Sequence, residues 1–390
     1  MIPMVRPTGA LMWAACRLEP DAPAVADAVA RGADLDLAAD QAVAQRVAPL
    51  LWRALEAAGC ADRETTWGER LHGDTMRCRA HAVLVLPRIA DALLRPLTSA
   101  GFEPLVLKGG VLAERYPAPG LRPMDDVDVL LPAAQHPAAL DVLARAGWMQ
   151  VSSPPGRHHE VLLTHPELPG TPLELHHDLT TWRQRSSRLG ADQLWADRQP
   201  QVVQGAPAFG LRSEVEMLLV ASHAAKPFHV FGRLLWIVDL LAITKGAAAD
   251  GKPIDWNLLE SLADEAGCRT ALAVALQQAT RLGLESPASA RRLLATGTRL
   301  AALEPVLSPE WPVANHDWPT RHRLGYALVD DRKLRLTLFA GAVTEKGLPG
   351  APFRALTTTS RAIRRWWRLQ RAIPASDAAG REDLEEPVKP

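Results

Sequence analysis

Along this chain, long stretches in which apolar residues recur at helical spacing flank a central region where they fall into short runs cut by glycine and proline. From about Ala22 to Leu97 the sequence is Ala-rich and helical. Leu35, Leu37, Val47, Leu50, Leu51, Leu55 and Ala58 form one helical repeat that Gly59 ends, and Thr75 to Leu97 predicts a further helix kinked near Pro87. The pattern then changes. Leu105-Val106-Leu107 reads as a short buried strand, Gly109-Gly110 as a tight turn, and Val111 to Tyr116 as helix. Pro117, Pro119, Gly120 and Pro123 force a loop before Val127 to Leu131, a second strand. Arg157 to Thr164 and Thr171 to His176 predict two neighbouring strands.

Helices return after the strands. Ser213 with Glu216 three residues later has the form of a capping box, opening a helix that Pro227 stops. Phe231 to Ile243 is apolar nearly all round, which predicts a buried helix carrying one carboxylate, Asp239, that needs a partner such as His223, Lys226 or Arg233. Residues from Asp255 to Glu304 continue at helical spacing, and Pro305 to Pro319 reads as an ordered loop. Arg361, Arg364, Arg365, Arg368 and Arg371 interleave with Ile363, Trp366, Trp367 and Leu369 in a basic amphipathic helix. Docking of its Trp face on the domain is the favoured reading; peripheral contact with an anionic membrane is the alternative. The tail after Pro374 is polar and acidic and predicts disorder.

The chemistry concentrates in the central region. Side chains alternate along a strand, so Asp126 and Asp128 share one face while Val127 and Val129 take the other, and Asp125 points away or sits in the turn. Two carboxylates on one face repel unless a cation lies between them, and hard oxygen ligands suit Mg²⁺ bridging to phosphates. Backbone N–H groups near Gly110 would open a helix N-terminus, a natural phosphate site. Glu174, His176 and Asp178 share a face of the later strand. His158, His159, Glu160, His165, His176 and His177 also crowd one window, and a Zn²⁺ centre is the competing metal reading. Adjacent histidines on a strand face opposite ways, which argues against it.

The segment LKGGVLAERYPAPGLRPMDDVDVLLP, followed by ELHHDL, resembles the bacterial uncharacterised nucleotidyltransferase family within the nucleotidyltransferase superfamily. The resemblance covers about Leu50 to Leu241. It implies an α+β fold, a mixed sheet with flanking helices, joined by an N-terminal helical unit and a C-terminal helical domain. It implies Asp126, Asp128 and Glu174 as metal-holding catalytic residues for Mg²⁺, with Mn²⁺ as the alternative ion. Gly109 and Gly110 would line the triphosphate, Lys108 and Arg122 would pair with its phosphates, and Arg122 could instead anchor its loop to Asp125. His176 would lie near the acceptor or the phosphates, and Lys226 and Asp239 at the cleft between helical and catalytic domains. The implied reaction moves a nucleoside monophosphate from a nucleoside triphosphate such as ATP to an acceptor hydroxyl of a small molecule, protein or RNA, releasing pyrophosphate. The alternative is an inactive member of the fold serving as a binding or scaffold protein.

Size and charge narrow this further. At 390 residues and 47% hydrophobic the chain can build several cores, and we expect boundaries at 1–98, 99–210, 211–373 and 374–390. Forty-four basic residues balance forty-four acidic ones, so no field favours non-specific binding to duplex nucleic acid. Cys16, Cys60, Cys78 and Cys268 lack paired spacing and read as thiols of a reducing, cytoplasmic environment. No run reaches the ~20 apolar residues of a membrane-spanning helix.

Overall fold

The computed structural model describes residues 7–151, 159–168, 170–179, 187–226, 229–285, 303 and 324–336, all within one compact unit, Met1–Phe339. His158, Pro227, the 305–319 stretch, the basic helix from Arg361 to Arg371 and the acidic tail lie outside the described residues.

Seven strands form one mixed sheet: β1 (Leu105–Leu107), β2 (Val127–Leu130), β3 (Met149–Gln150), β4 (Glu160–Thr164), β5 (Leu173–His176), β6 (Gln199–Val203) and β7 (Ala206–Gly210). They lie in the order β3-β4-β5-β2-β1-β7-β6, with β2–β5 and β1–β7 parallel and the other neighbours antiparallel. The period-two alternation divides the core. Val106, Val127, Val129, Leu173 and Leu175 pack on one face with Leu86, Ile89, Leu93 and Leu143. Leu105, Leu107 and Leu130 point to the other face and join a larger helical core. That core contains the N-terminal helices Pro7–Ala15, Ala22–Ala30, Leu35–Ala44 and Ala48–Ala57 together with Ser213–Ala224, Leu234–Ala249, Trp256–Ala266 and Arg269–Arg281. Asp128, Glu174 and His176 occupy the face that looks towards these helices, because each alternates with a valine or leucine committed to the opposite core.

Several local expectations change. The repeat from Leu35 to Ala58 is two helices, because Arg46 takes a left-handed φ of 61° and reverses the chain between them. The long helix beginning at Thr66 does deform around Pro87, through π turns at His81–Val85 and Ala90–Leu94. The Ser213/Glu216 box does not form. Arg212 is the N-cap, with no side-chain cap bond, and the buried Glu216 instead pairs with Arg115 at 2.9 Å. The apolar helix expected from Phe231 starts at Leu234, since Val230 and Phe231 both have positive φ. Its near-complete burial is as expected. The cysteines are free, Cys16 and Cys268 buried. Among the described residues no helix is long and apolar enough to cross a membrane.

Candidate active site

The turn after β1 sets the first side chain. The left-handed position falls on Lys108, at φ 47° and ψ −116°, rather than on a glycine. Such a backbone costs a non-glycine residue about 1–3 kcal/mol and persists only where surrounding packing enforces it. Gly109 and Gly110 are helical and buried, and their role is close approach. A Cβ at Gly109 would meet Arg122 Nη1 at 2.6 Å, and one at Gly110 would meet Val106 Cγ1 at 2.4 Å. The helix they open is short, Gly109–Leu112, and passes into a 3₁₀ turn at Ala113–Arg115.

Strand register places the carboxylates. Asp128 on β2 lies directly beside Glu174 on the parallel β5, and Leu162 and Glu160 of β4 face Glu174 and His176 across the antiparallel pair. Asp128 is buried, and its Oδ1 accepts from Lys108 Nζ at 3.0 Å and from His176 Nε2 at 2.7 Å. Burial alone would raise the Asp128 pKa, but the Lys108 ammonium and the His176 bond outweigh it and hold this carboxyl well below the usual range. His176 moves the other way: burial disfavours its charge, yet hydrogen bonds to Asp128 and Glu174 push it up to about 9. Asp126 lies just before the strand, half-buried. Burial and the Asp128 charge raise its pKa, against the pull of Lys108. Asp125 is half-exposed and ion-paired with Arg46, not with Arg122.

Asp128, Glu174 and His176 converge, with one ligand atom each within 4.8 Å of the others; Asp126 stands outside that triad but within reach of its charges. Carboxylates that need an ammonium and an imidazolium to balance them fit a hard divalent cation. His159, Glu160 and His176 form a second convergent group. Of the other histidines, His165 donates to the Ala146 carbonyl and packs against Trp148, and His177 lies edge-on to His136.

Beside the carboxylates opens a small pocket, lined by Lys108, His176, Leu189, Leu219, His223 and Lys226 among others. Two lysine ammonium groups and the His176 imidazolium therefore face it. Burial and the nearby Lys108 lower Lys226 to about 8, so near neutral pH it stays mostly charged, and its Nζ donates to the Leu179 carbonyl at 3.4 Å. Burial, then Lys108, keep His223 neutral, and its Nδ1 has no hydrogen-bond partner among the described residues. Glu160, which the sequence offers only as one of the possible Zn²⁺ ligands of the histidine-rich window, lies opposite His176 through the register of β4 and β5.

Arg122 and Asp239 meet each other rather than a ligand. Arg122 Nε and Nη2 donate to Asp239 Oδ1 and Oδ2 at 2.8 and 2.9 Å, and the Tyr116 hydroxyl donates to Oδ1 at 2.7 Å. The expected partners of Asp239, namely His223, Lys226 and Arg233, are displaced because Arg122 reaches in from the proline-rich loop under Gly109. The pair ties the loop that delivers Asp126 and Asp128 to the buried helix Leu234–Ala249.

A model of the uncharacterised nucleotidyltransferase family matches residues 31–283, well over half of the chain. The chain belongs to that family, and its mixed sheet with flanking helices is the α+β, nucleotidyltransferase-like fold the sequence implied. No curated protein and no solved structure matches it.

Proposed function

We propose that this member of the uncharacterised nucleotidyltransferase family moves a nucleoside monophosphate from a nucleoside triphosphate to an acceptor hydroxyl and releases pyrophosphate. The observation that carries the reading is the Asp128–Glu174 pair on adjacent parallel strands, with Lys108 bonded to Asp128 and also lining, with Lys226, the neighbouring pocket. Asp126, Asp128 and Glu174 would hold Mg²⁺, with Mn²⁺ as the alternative. That ion would supply charge neutralisation on the phosphates and a lowered pKa for the acceptor hydroxyl.

The remaining work falls to the chain's own groups. Lys108 and Lys226 attract and orient the triphosphate as point charges, the usual role of lysine at phosphates. Glu174, the more exposed of the two strand carboxylates, accepts a hydrogen bond from the acceptor hydroxyl and aims its oxygen at the α-phosphorus. The new bond joins that oxygen to the α-phosphorus as the hydroxyl proton passes to Glu174. The bond that breaks joins the α-phosphorus to the oxygen shared with the β-phosphate, which leaves in the pyrophosphate. His176 acts through Asp128, fixing its carboxylate by the 2.7 Å bond. Gly109 and Gly110 let Arg122 and Val106 pack against the turn that carries Lys108, while Arg122 and Asp239 position the loop.

The test is pyrophosphate release from each of the four nucleoside triphosphates in Mg²⁺, with fractionated small molecules, RNA and protein as acceptors, for wild type and Asp128→Asn. Release by wild type alone supports the reading; equal release by a folded Asp128→Asn overturns it. One observation favours a second reading, a binding protein without turnover: Lys108 and His176 already balance the Asp128 charge. Triphosphate binding with no release from any acceptor fraction would favour it.

A further inference from the structure

We propose that His159, Glu160 and His176 form a second metal site, selective for Zn²⁺ or a similar borderline transition-metal ion and distinct from the oxygen-rich site of the carboxylates. The ligand atoms of these three residues lie within 4.8 Å of one another. His159 Nε2 is 2.8 Å and His176 Nδ1 3.5 Å from the same oxygen, Glu160 Oε2, and the two rings are tilted, with centroids 5.5 Å apart. An ion bound at about 2.0–2.2 Å to each atom needs ligand separations of roughly 3–3.5 Å, so the group closes on a tetrahedral ion with small side-chain rotations. Two imidazoles and one carboxylate with a fourth position open are a donor set for zinc and a poor one for Mg²⁺.

One further feature points to a ligand. His176 gives its Nε2–H to Asp128, the carboxylate–histidine arrangement that orients metal-binding imidazoles and directs the opposite nitrogen at the ion. That nitrogen, Nδ1, lies 3.5 Å from Glu160 Oε2 and donates its proton to the Asp178 carbonyl at 3.2 Å, a proton that an ion bound there would displace. His176 would thus separate two ions of different chemistry. Its Nε2 supports the carboxylates and its Nδ1 binds the softer ion, pinning β4 to β5 beside the pocket. The inference does not rest on nucleotidyl transfer, since the ligand set stands whether or not the neighbouring site turns over.

The experiment strips the full chain with chelator, dialyses it against Zn²⁺ in excess Mg²⁺, and measures bound zinc and the visible absorption after Co²⁺ replacement. Wild type is expected to retain one zinc and to give the intense bands of four-coordinate Co²⁺. His159→Ala and Glu160→Gln should each weaken zinc binding at least tenfold, while Glu174→Gln stays within about twofold. Circular dichroism checks that each variant is folded, and Glu160→Gln, nearly isosteric, covers a failure of His159→Ala. No zinc in wild type overturns the proposal. So does zinc lost in Glu174→Gln but kept in His159→Ala, which would put the ion among the carboxylates. Triphosphate binding measured on the same samples separates this outcome from failure of the transfer reading.

Discussion

Removing the Asp239 carboxylate should be among the most damaging single changes in the described part of the protein. Its side chain is 1% exposed and that of Arg122 8%, so Asp239→Ala strands a guanidinium away from water with no counter-charge. Breaking a buried pair from one side costs about 3–5 kcal/mol, and the orphaned Tyr116 hydroxyl adds part of a further ~1–3 kcal/mol. A loss of about 4 kcal/mol is a large share of a typical stability of about 5–15 kcal/mol. With an m-value of about 3 kcal/mol/M, the urea midpoint should fall by roughly 1.3 M. Replacing both partners with apolar groups, Arg122→Met with Asp239→Leu, removes the stranded charge and should bring stability back to within about 1–2 kcal/mol of wild type. Tyr116→Phe, which takes one bond from a charged acceptor, should cost less, about 1.5–3 kcal/mol. Urea unfolding followed by circular dichroism measures all three. A cost below about 1 kcal/mol for Asp239→Ala, or a double variant no more stable than Asp239→Ala, would refute the assignment of this pair as the anchor of the loop.

Lys108→Gly should be more stable than Lys108→Ala by about 1–3 kcal/mol, because only glycine takes φ 47° without strain; equal midpoints would show that the turn relaxes. Gly110→Ala should cost about 1–3 kcal/mol or more by forcing a Cβ to 2.4 Å from Val106 Cγ1 in the sheet core, which thermal unfolding can read against Gly73→Ala, a helical position where the nearest atom, Arg77 Nη1, is 3.8 Å away. Burial, opposed only in part by its bond to the His223 carbonyl, lowers His229 to about 3, so between about pH 6.5 and 3 the unfolded chain binds more protons there than the folded one. This group's contribution to stability therefore falls as pH drops through that window, by about 2 kcal/mol from pH 6.5 to 5, and His229→Gln should flatten the wild-type decline over that range. An unchanged slope in the variant would contradict it.

Much of this site could be read in the sequence because a strand's alternation is local information. Val127, Val129, Leu173 and Leu175 announce one buried face, and Asp128, Glu174 and His176 fall on the other without knowledge of the rest of the fold. Register between strands is not local. Nothing in the sequence near Glu160 says that it will lie opposite His176, and so the convergence of His159, Glu160 and His176 could be weighed only as a crowd of histidines. The same limit explains Arg122 and Asp239, which are 117 residues apart and whose pairing depends on how the loop docks against a helix. The Gly109-Gly110 pair was visible, but its cause was not. The glycines permit Arg122 and Val106 to approach, and the strained conformation falls one residue earlier, on a lysine that packing holds against Asp128. The Ser213/Glu216 signature failed because Arg115 offers the buried Glu216 a stronger partner than a helix N-terminus does.

The central claim, that Asp128 and its neighbours hold a divalent ion for a nucleoside triphosphate, is tested most directly by calorimetric titration of ATP, CTP, GTP and UTP with and without Mg²⁺. The titrations compare wild type with Asp128→Asn. The account predicts saturable binding of at least one triphosphate that requires Mg²⁺ and falls by at least tenfold in the folded variant. Binding that is indifferent to Mg²⁺, or equal in wild type and variant, would contradict it.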